Sequence, residues 1–250
     1  MSTRIYQAIP LSLNATIILD EKASHHLARV LRSAVGETVT IFNGEGGEYE
    51  AEITAITKKN VTVMLKQFHA RDVESPLQIH LAQGIARGEK MDFIIQKAVE
   101  LGVSHIIPLI TERCNVRLDN EREEKRLQHW HSVVISACEQ SGRNRLPQLA
   151  RPQSLSDWLT KVQQSESFAM SFVLSPYVKT KLTKESPRTF DKPIALLLGP
   201  EGGLSDQEIA LAEQQHFSAL NLGPRVLRTE TATLAAVSVL QFAFGDFASY

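Results

Sequence analysis

The run Ile194-Ala195-Leu196-Leu197-Leu198 offers no polar residue to either face, and Gly199-Pro200-Glu201-Gly202-Gly203-Leu204 follows it directly. A strand that is apolar on both sides must be covered on both sides, as a central strand of a parallel sheet is when helices layer each face. From Pro76 onward the chain keeps the rhythm such a sheet needs. Strands are expected at 77–83, 105–110, 168–174 and 219–222, with helices from residue 89, at 121–141, at 205–215 and at 229–247. Met91, Ile94, Ile95 and Ala98 recur at the spacing of one helix face. Strands separated by helices predict the α/β class.

Residues 1–75 read differently. Val39 and Ile41 alternate with Thr38 and Thr40, and similar half-buried strands follow at 49–57 and 61–65. Asn43-Gly44 and Lys58-Lys59-Asn60 supply the turns, and one short helix falls near 24–32. A small, mostly β, barrel-like domain is expected over 1–75, ahead of an α/β domain over 76–250.

Charge excludes one class of function. Lys plus Arg number 27 against 28 Asp plus Glu, and neither part is basic: 8 against 9 over residues 1–75, and 19 against 19 over 76–250. A protein that coats nucleic acid without specificity carries a basic excess, so any contact with nucleic acid here must be local. Cys114 and Cys138 cannot build a tetrahedral metal site, and the pairs His25/His26 and His129/His131 do not share a helix face, so no metal is expected. With no signal-like apolar run near residue 1 and no stretch of about 18 apolar residues, the expected location is cytoplasmic, with no membrane partner.

Two loops could carry chemistry. Gly199–Gly203 leaves the buried strand and enters a helix opened by Ser205 and Glu208 at capping-box spacing. It is either a ligand loop beyond a strand's carboxyl end or a tight turn with glycines for geometry. Its spacing is neither Gly-x-Gly-x-x-Gly nor Gly-x-x-x-x-Gly-Lys, which disfavours NAD and ATP. The second loop, Leu222-Gly223-Pro224-Arg225-Val226-Leu227-Arg228, repeats Leu-Gly-Pro after a strand and leads to Thr229, the expected N-cap of the last helix. Glu230 either complements that helix's dipole or moves a proton beside Arg228. Arg143, Arg145 and Arg151, in a polar stretch without acids, form either a solvated surface or a phosphate patch that Arg87, Lys90, Arg113 and Arg117 extend. The last helix, apolar on nearly every face, is either core or a subunit interface.

Four segments in order, RGEKMDFIIQKAVELGV at 87–103, ACEQSGRNR at 137–145, LLLGPEGGLSDQEI at 196–209 and LGPRVLRTETA at 222–232, resemble the RsmE-type 16S ribosomal RNA uridine N3-methyltransferases of the SPOUT superfamily. The resemblance implies a PUA-like RNA-binding domain, a parallel sheet threaded into a trefoil knot, and a homodimer. It also implies S-adenosylmethionine held by Leu174-Ser175-Pro176, by Leu198, Gly199, Pro200, Glu201, Gly202 and Gly203, and by Leu222, Gly223, Arg225, Val226 and Leu227. The implied target is uridine 1498 of the small ribosomal subunit, with Arg228 and Glu230 as the first catalytic pair and Glu201 as the second candidate base. Arg4, Arg87, Lys90, Arg113, Gln140, Arg143 and Arg145 are the expected RNA contacts. Two other readings stand beside this one: a related enzyme that methylates a ribose 2′-oxygen, and a non-catalytic RNA-binding protein.

Overall fold

The computed structural model describes residues 3–114, 120–165, 168–175 and 190–247. Arg117 and Pro176 lie outside the described residues. The chain forms two compact units, Met1–Glu74 with Cys138–Leu146, and Ser75–Ala137 with Pro147–Tyr250. A single cut after residue 75 leaves out that nine-residue return, which carries the arginine cluster.

In the first unit a five-stranded sheet takes the order β1-β3-β4-β5-β2, with β1 Arg4–Tyr6, β2 Thr16–Ile18, β3 Thr38–Phe42, β4 Glu48–Ile56 and β5 Val61–His69. β1 runs parallel to β3 and the other neighbours are antiparallel. Alternation decides the core: Val39, Ile41, Ala51, Ile53, Val61, Val63 and Leu65 point inward and meet Leu19, Ala23 and Leu27. The short helix is α1 Glu21–His25, capped by the Asp20 carboxylate on the Ala23 amide (2.8 Å), continuing as a π-helical turn His26–Leu31. β1 and β2, three residues each, are too short for a period to announce them.

The second unit holds a parallel sheet in the order β12-β10-β11-β6-β7-β8, made of β6 Ile79–Gly84, β7 His105–Ile110, β8 Gln148–Leu149, β10 Met170–Leu174, β11 Ile194–Leu198 and β12 Ser218–Leu220, with β9 Gln153–Ser154 also on β7. Every residue of β11 is buried, as its composition requires. Ala195 and Leu197 join Val173, Ala82, Trp158 and Phe217 in one core layer, leaving Ile194, Leu196 and Leu198 for the opposite face. The helices are α2 Glu89–Glu100, α3 Asn120–Ser141 up to Ala137, α4 Leu155–Ser165, α5 Asp206–Gln214 and α6 Thr229–Phe244. α2 and α6 pack together, and the Gln241 amide donates to the Leu101 carbonyl (2.9 Å). α6 buries Ala236, Val237, Leu240 and Phe244, but not by apolarity alone. Thr229, Thr233 and Gln241 are buried, whereas Val239 and Phe242 are exposed.

Candidate functional site

Register brings the loops together. Leu174 pairs with Leu220, Val173 with Leu197, and Leu198 with Gln83, so four adjacent parallel strands end at nearly one level. Beyond carboxyl ends aligned in this way lies the usual ligand crevice of an open α/β sheet. Here the end of β10, with Ser175, and the loops after β11 and β12 line a cavity of about 230 Å³. The described residues expected at the cofactor all line it: Leu174 and Ser175, Leu198 through Gly203, and Leu222, Gly223, Arg225, Val226 and Leu227. Arg113, Leu204, Ile209, Leu220, Asn221, Thr229 and Ala232 complete the wall.

The glycines divide into two kinds. A Cβ on Gly199 would sit 2.5 Å from the Gly203 carbonyl carbon and 2.6 Å from the Leu204 nitrogen, so the loop closes on itself there. Gly203 (φ +69°) and Gly223 (φ +118°) hold the left-handed region that favours glycine, and a Cβ on either would meet nothing within 4 Å. The first kind makes the turn; the second keeps its backbone bare beside the open space. The Asn221 carboxamide accepts from the Gly223 amide (2.6 Å) and fixes the second loop. Ser205 and Glu208 form the expected capping box, and the other Glu208 oxygen accepts from the Glu112 amide (2.8 Å).

Beneath the glycine loop lies a buried polar cluster that sequence reasoning did not find. Gln83 and Thr233 are fully buried and Thr229 nearly so. The Gln83 amide donates to the Gly199 carbonyl (3.2 Å) and the Thr229 hydroxyl (3.2 Å). Thr229 donates to the same carbonyl (2.8 Å), and Thr233 donates to the Gln83 oxygen (2.7 Å). Thr229 is therefore not the N-cap. That position belongs to Arg228, whose side chain makes no capping bond. The only sequence signals were a glutamine ending an apolar strand and two threonines four apart.

The candidate bases differ. One Glu201 oxygen accepts from the Arg87 amide (3.1 Å) and lies 3.3 Å from the Lys90 ammonium. Burial alone would raise its pKa, but bonds from its own amide and that of Arg87, with the Lys90 charge, hold the carboxyl below the usual range. Glu230 lies outside the cavity lining, and its Oε2 is buried with no hydrogen-bond partner. Arg228 is exposed.

The arginines expected at RNA also separate. In the second unit Arg87 and Arg113 are exposed, Lys90 pairs with Glu201, and Arg113 donates to the Gly202 carbonyl (3.0 Å). In the first unit Gln140 is exposed, but Arg143 is only 5% exposed and its guanidinium grips Glu74 (Nε to Oε2 2.9 Å). Arg4 is held by Glu48 and Asn144 and lies over the Phe42 ring, and Arg145 is 3.7 Å from Asp72. Of the two readings of the arginine loop, a solvated surface or a phosphate patch, neither fits Arg143, which is buried with Gly142 and Asn144: Glu74, 69 positions away, pairs with it, and Arg71 and Arg4 hold its two neighbours, while Arg145 stays exposed. Burial pushes the Cys138 thiol up to about 12, the state of an inert thiol. No group of three or more His, Cys, Asp or Glu suited to a metal occurs among the described residues, and none of their helices is long and apolar enough to cross a membrane.

Comparison with known proteins places this geometry. A model described as an RNA methyltransferase domain matches residues 73–241, and one described as an RNA methyltransferase PUA domain matches residues 19–65. Ribosomal RNA small subunit methyltransferase E of Buchnera aphidicola from Schizaphis graminum is 38% identical over 97% of each chain. The protein of that name from Bacillus subtilis is 29% identical over 87% of this chain and 86% of its own. Among solved structures, a Legionella pneumophila protein in complex with bound S-adenosylmethionine is 41% identical, with TM-score 0.91 over 99% of this chain and 100% of its own. Ribosomal RNA small subunit methyltransferase E of Neisseria gonorrhoeae, bound to the same cofactor, is 38% identical, with TM-score 0.90 over the same shares.

Proposed function

Since this chain belongs to the RNA methyltransferase family, among relatives named ribosomal RNA small subunit methyltransferase E, we propose that it methylates N3 of a uridine, uridine 1498, in 16S ribosomal RNA, using S-adenosylmethionine. The observation that carries this reading is the cavity in which three adjacent strand ends, two of them with glycine loops, present glycine backbone and leucine side chains. That lining fits the cofactor. Leu174, Leu198, Leu222 and Leu227 offer apolar walls to an adenine ring, and the bare backbone at Gly203 and Gly223 leaves donors and acceptors for its polar groups. When bound, the cofactor supplies a methyl group already activated by a positive sulfur.

The protein must remove the N3 proton and stabilise the anion left behind. Glu230 is the better base, because a buried carboxylate oxygen without a partner can accept a proton, whereas Glu201 is engaged by Lys90 and the Arg87 amide. Arg228, two residues earlier and exposed, can stabilise negative charge on the uracil ring. Glu201 then acts as a pin for its loop. In this reading the second unit carries the knot of its superfamily, and the first unit is a PUA-like barrel that meets RNA. The enzyme works in the cytoplasm as a homodimer, an arrangement supported by Val239 and Phe242, which α6 leaves exposed.

Nucleoside analysis of 16S RNA from a strain lacking the gene, complemented with the wild type, tests the function. Restored N3-methyluridine is the expected result; a restored 2′-O-methyl nucleoside, or no cofactor binding by calorimetry, overturns it. Single-turnover rates against pH then separate the carboxylates. Glu230→Gln should lower the rate with partial recovery at high pH, where solvent ionises more uridine, and Glu201→Gln should mainly weaken cofactor binding. A normal rate for Glu230→Gln with a large loss for Glu201→Gln would exchange the roles.

A further inference from the structure

The first unit contains ten Lys and Arg and ten Asp and Glu, counting residues 1–74 and 138–146, so its net charge is zero. Its charges are not spread evenly. Arg4, Lys66, Arg71, Arg143 and Arg145 each have a carboxylate within ion-pair distance. The five cations without one, Lys22, Arg29, Arg32, Lys58 and Lys59, all come from two short segments, 22–32 and 58–59. Those segments face each other across a groove of about 380 Å³ lined by His25, Arg29, Lys58, Lys59 and Asn60, with Glu21 its one acid.

The groove is built, not draped. The Ser24 hydroxyl, 1% exposed, donates to the Leu19 carbonyl (3.0 Å) and accepts from the Val61 amide (3.0 Å), which staples α1 to the start of β5. On the other wall the Thr57 hydroxyl accepts from the Asn60 amide (2.9 Å) and donates to the Asn60 carbonyl (3.0 Å), closing the turn that presents Lys58 and Lys59. Unpaired cations on fixed walls, in a unit whose remaining charges are net negative, suit a chain of phosphates held locally rather than a polyanion spread over the whole unit.

We propose that this groove, and not the Arg4–Arg143 region, is where the first unit holds the RNA backbone, with Arg29, Lys58 and Lys59 each on a phosphate. The inference rests on the reading of the protein as an RNA methyltransferase. It explains how a unit with no basic excess can hold RNA: five of its ten cations are taken up by carboxylates, and the other five gather in two short segments that form one basic strip.

The test uses the full chain and protein-free, unmethylated 16S RNA, with affinity measured against salt. Each phosphate contact contributes roughly 0.7 to 0.9 to the slope of log affinity on log salt. Between about 50 and 200 mM, three contacts account for about a 20- to 40-fold part of the wild type's loss of affinity, and Arg29→Gln/Lys58→Gln/Lys59→Gln should lack that part. Lys66→Gln, at a cation already paired with Glu52, should leave the slope in place. Cofactor affinity and melting temperature, measured in parallel, should be unchanged in both variants. An unaltered slope in the triple variant overturns the proposal while a methylating wild type leaves the functional reading standing; a wild type that neither binds nor methylates RNA overturns both. Loss of binding to phosphatidylserine vesicles by the triple variant, with RNA affinity intact, would assign the groove to a lipid surface and also overturn it.

Discussion

Replacing Thr233 by Val tests whether the buried cluster under the glycine loop holds the site. The two side chains are nearly the same shape, so no cavity forms and the change is confined to one hydroxyl. Thr233 and Gln83 are both fully buried, and the lost bond to the Gln83 oxygen is 2.7 Å long. Water cannot replace the donor, so the Gln83 oxygen stays unsatisfied, at a cost of about 1–3 kcal/mol. The double variant Gln83→Leu/Thr233→Val removes both partners. It should cost less than the sum of the singles by at least about 0.5 kcal/mol, because no orphaned oxygen remains. Urea unfolding followed by tryptophan fluorescence suits the question, since Trp130 and Trp158 are both buried in the second unit. Calorimetric titration with S-adenosylmethionine gives the second readout. The Gly199 carbonyl that Gln83 and Thr229 hold belongs to the cavity wall, so Thr233→Val should weaken cofactor binding as well as stability. A cost below about 0.5 kcal/mol, or strict additivity in the double variant, would refute the reasoning.

Two further outcomes are expected. Gly199→Ala should abolish cofactor binding, because its Cβ would lie 2.5 Å from backbone, whereas Gly203→Ala, with open space but φ +69°, should cost about 1 kcal/mol of strain and keep measurable affinity; equal calorimetric losses would contradict the division between the two glycines. Burial and the neighbouring His105 depress His80 to about 4 from its ordinary 6.5. Between those values the unfolded chain binds a proton that the folded chain refuses. Stability should therefore fall as pH drops from 6.5 towards 4, and His80→Leu should flatten that part of the urea-midpoint profile; an unchanged profile would dismiss the effect.

What was legible in the sequence was whatever depends on apolar pattern. β7 and β11 occur at the residues that hydropathy indicated, α2 buries the face it displays, and both Leu-Gly-Pro loops stand at strand ends around one cavity. What escaped was short or irregular. β1, β2, β8 and β9 span two or three residues each, too few for a period, and the α1 helix changes to π geometry at His26. α4 was not expected although Leu155, Trp158, Leu159 and Val162 mark a helical face, because its other positions are polar.

Polar residues were the harder case, because their meaning lies in partners the local sequence does not contain. Arg143 in a stretch without acids looks like a free cation, yet Glu74, 69 positions away, neutralises it inside the first unit. Thr233 looks like a neutral filler of an apolar helix, yet it answers Gln83 across 150 positions. Lys58 and Lys59 look like ordinary turn residues and become distinctive only when every other cation around them is accounted for. A buried donor or charge must be paired, so the pairs that folding makes decide which polar groups remain for ligands. In the first unit this subtraction removes the arginines that sequence favours and leaves the lysine turn. In the second it sets Glu201 to holding a loop and leaves a Glu230 oxygen without a partner. The residues left over after internal pairing, rather than those that stand out along the chain, are the ones to test first for chemistry.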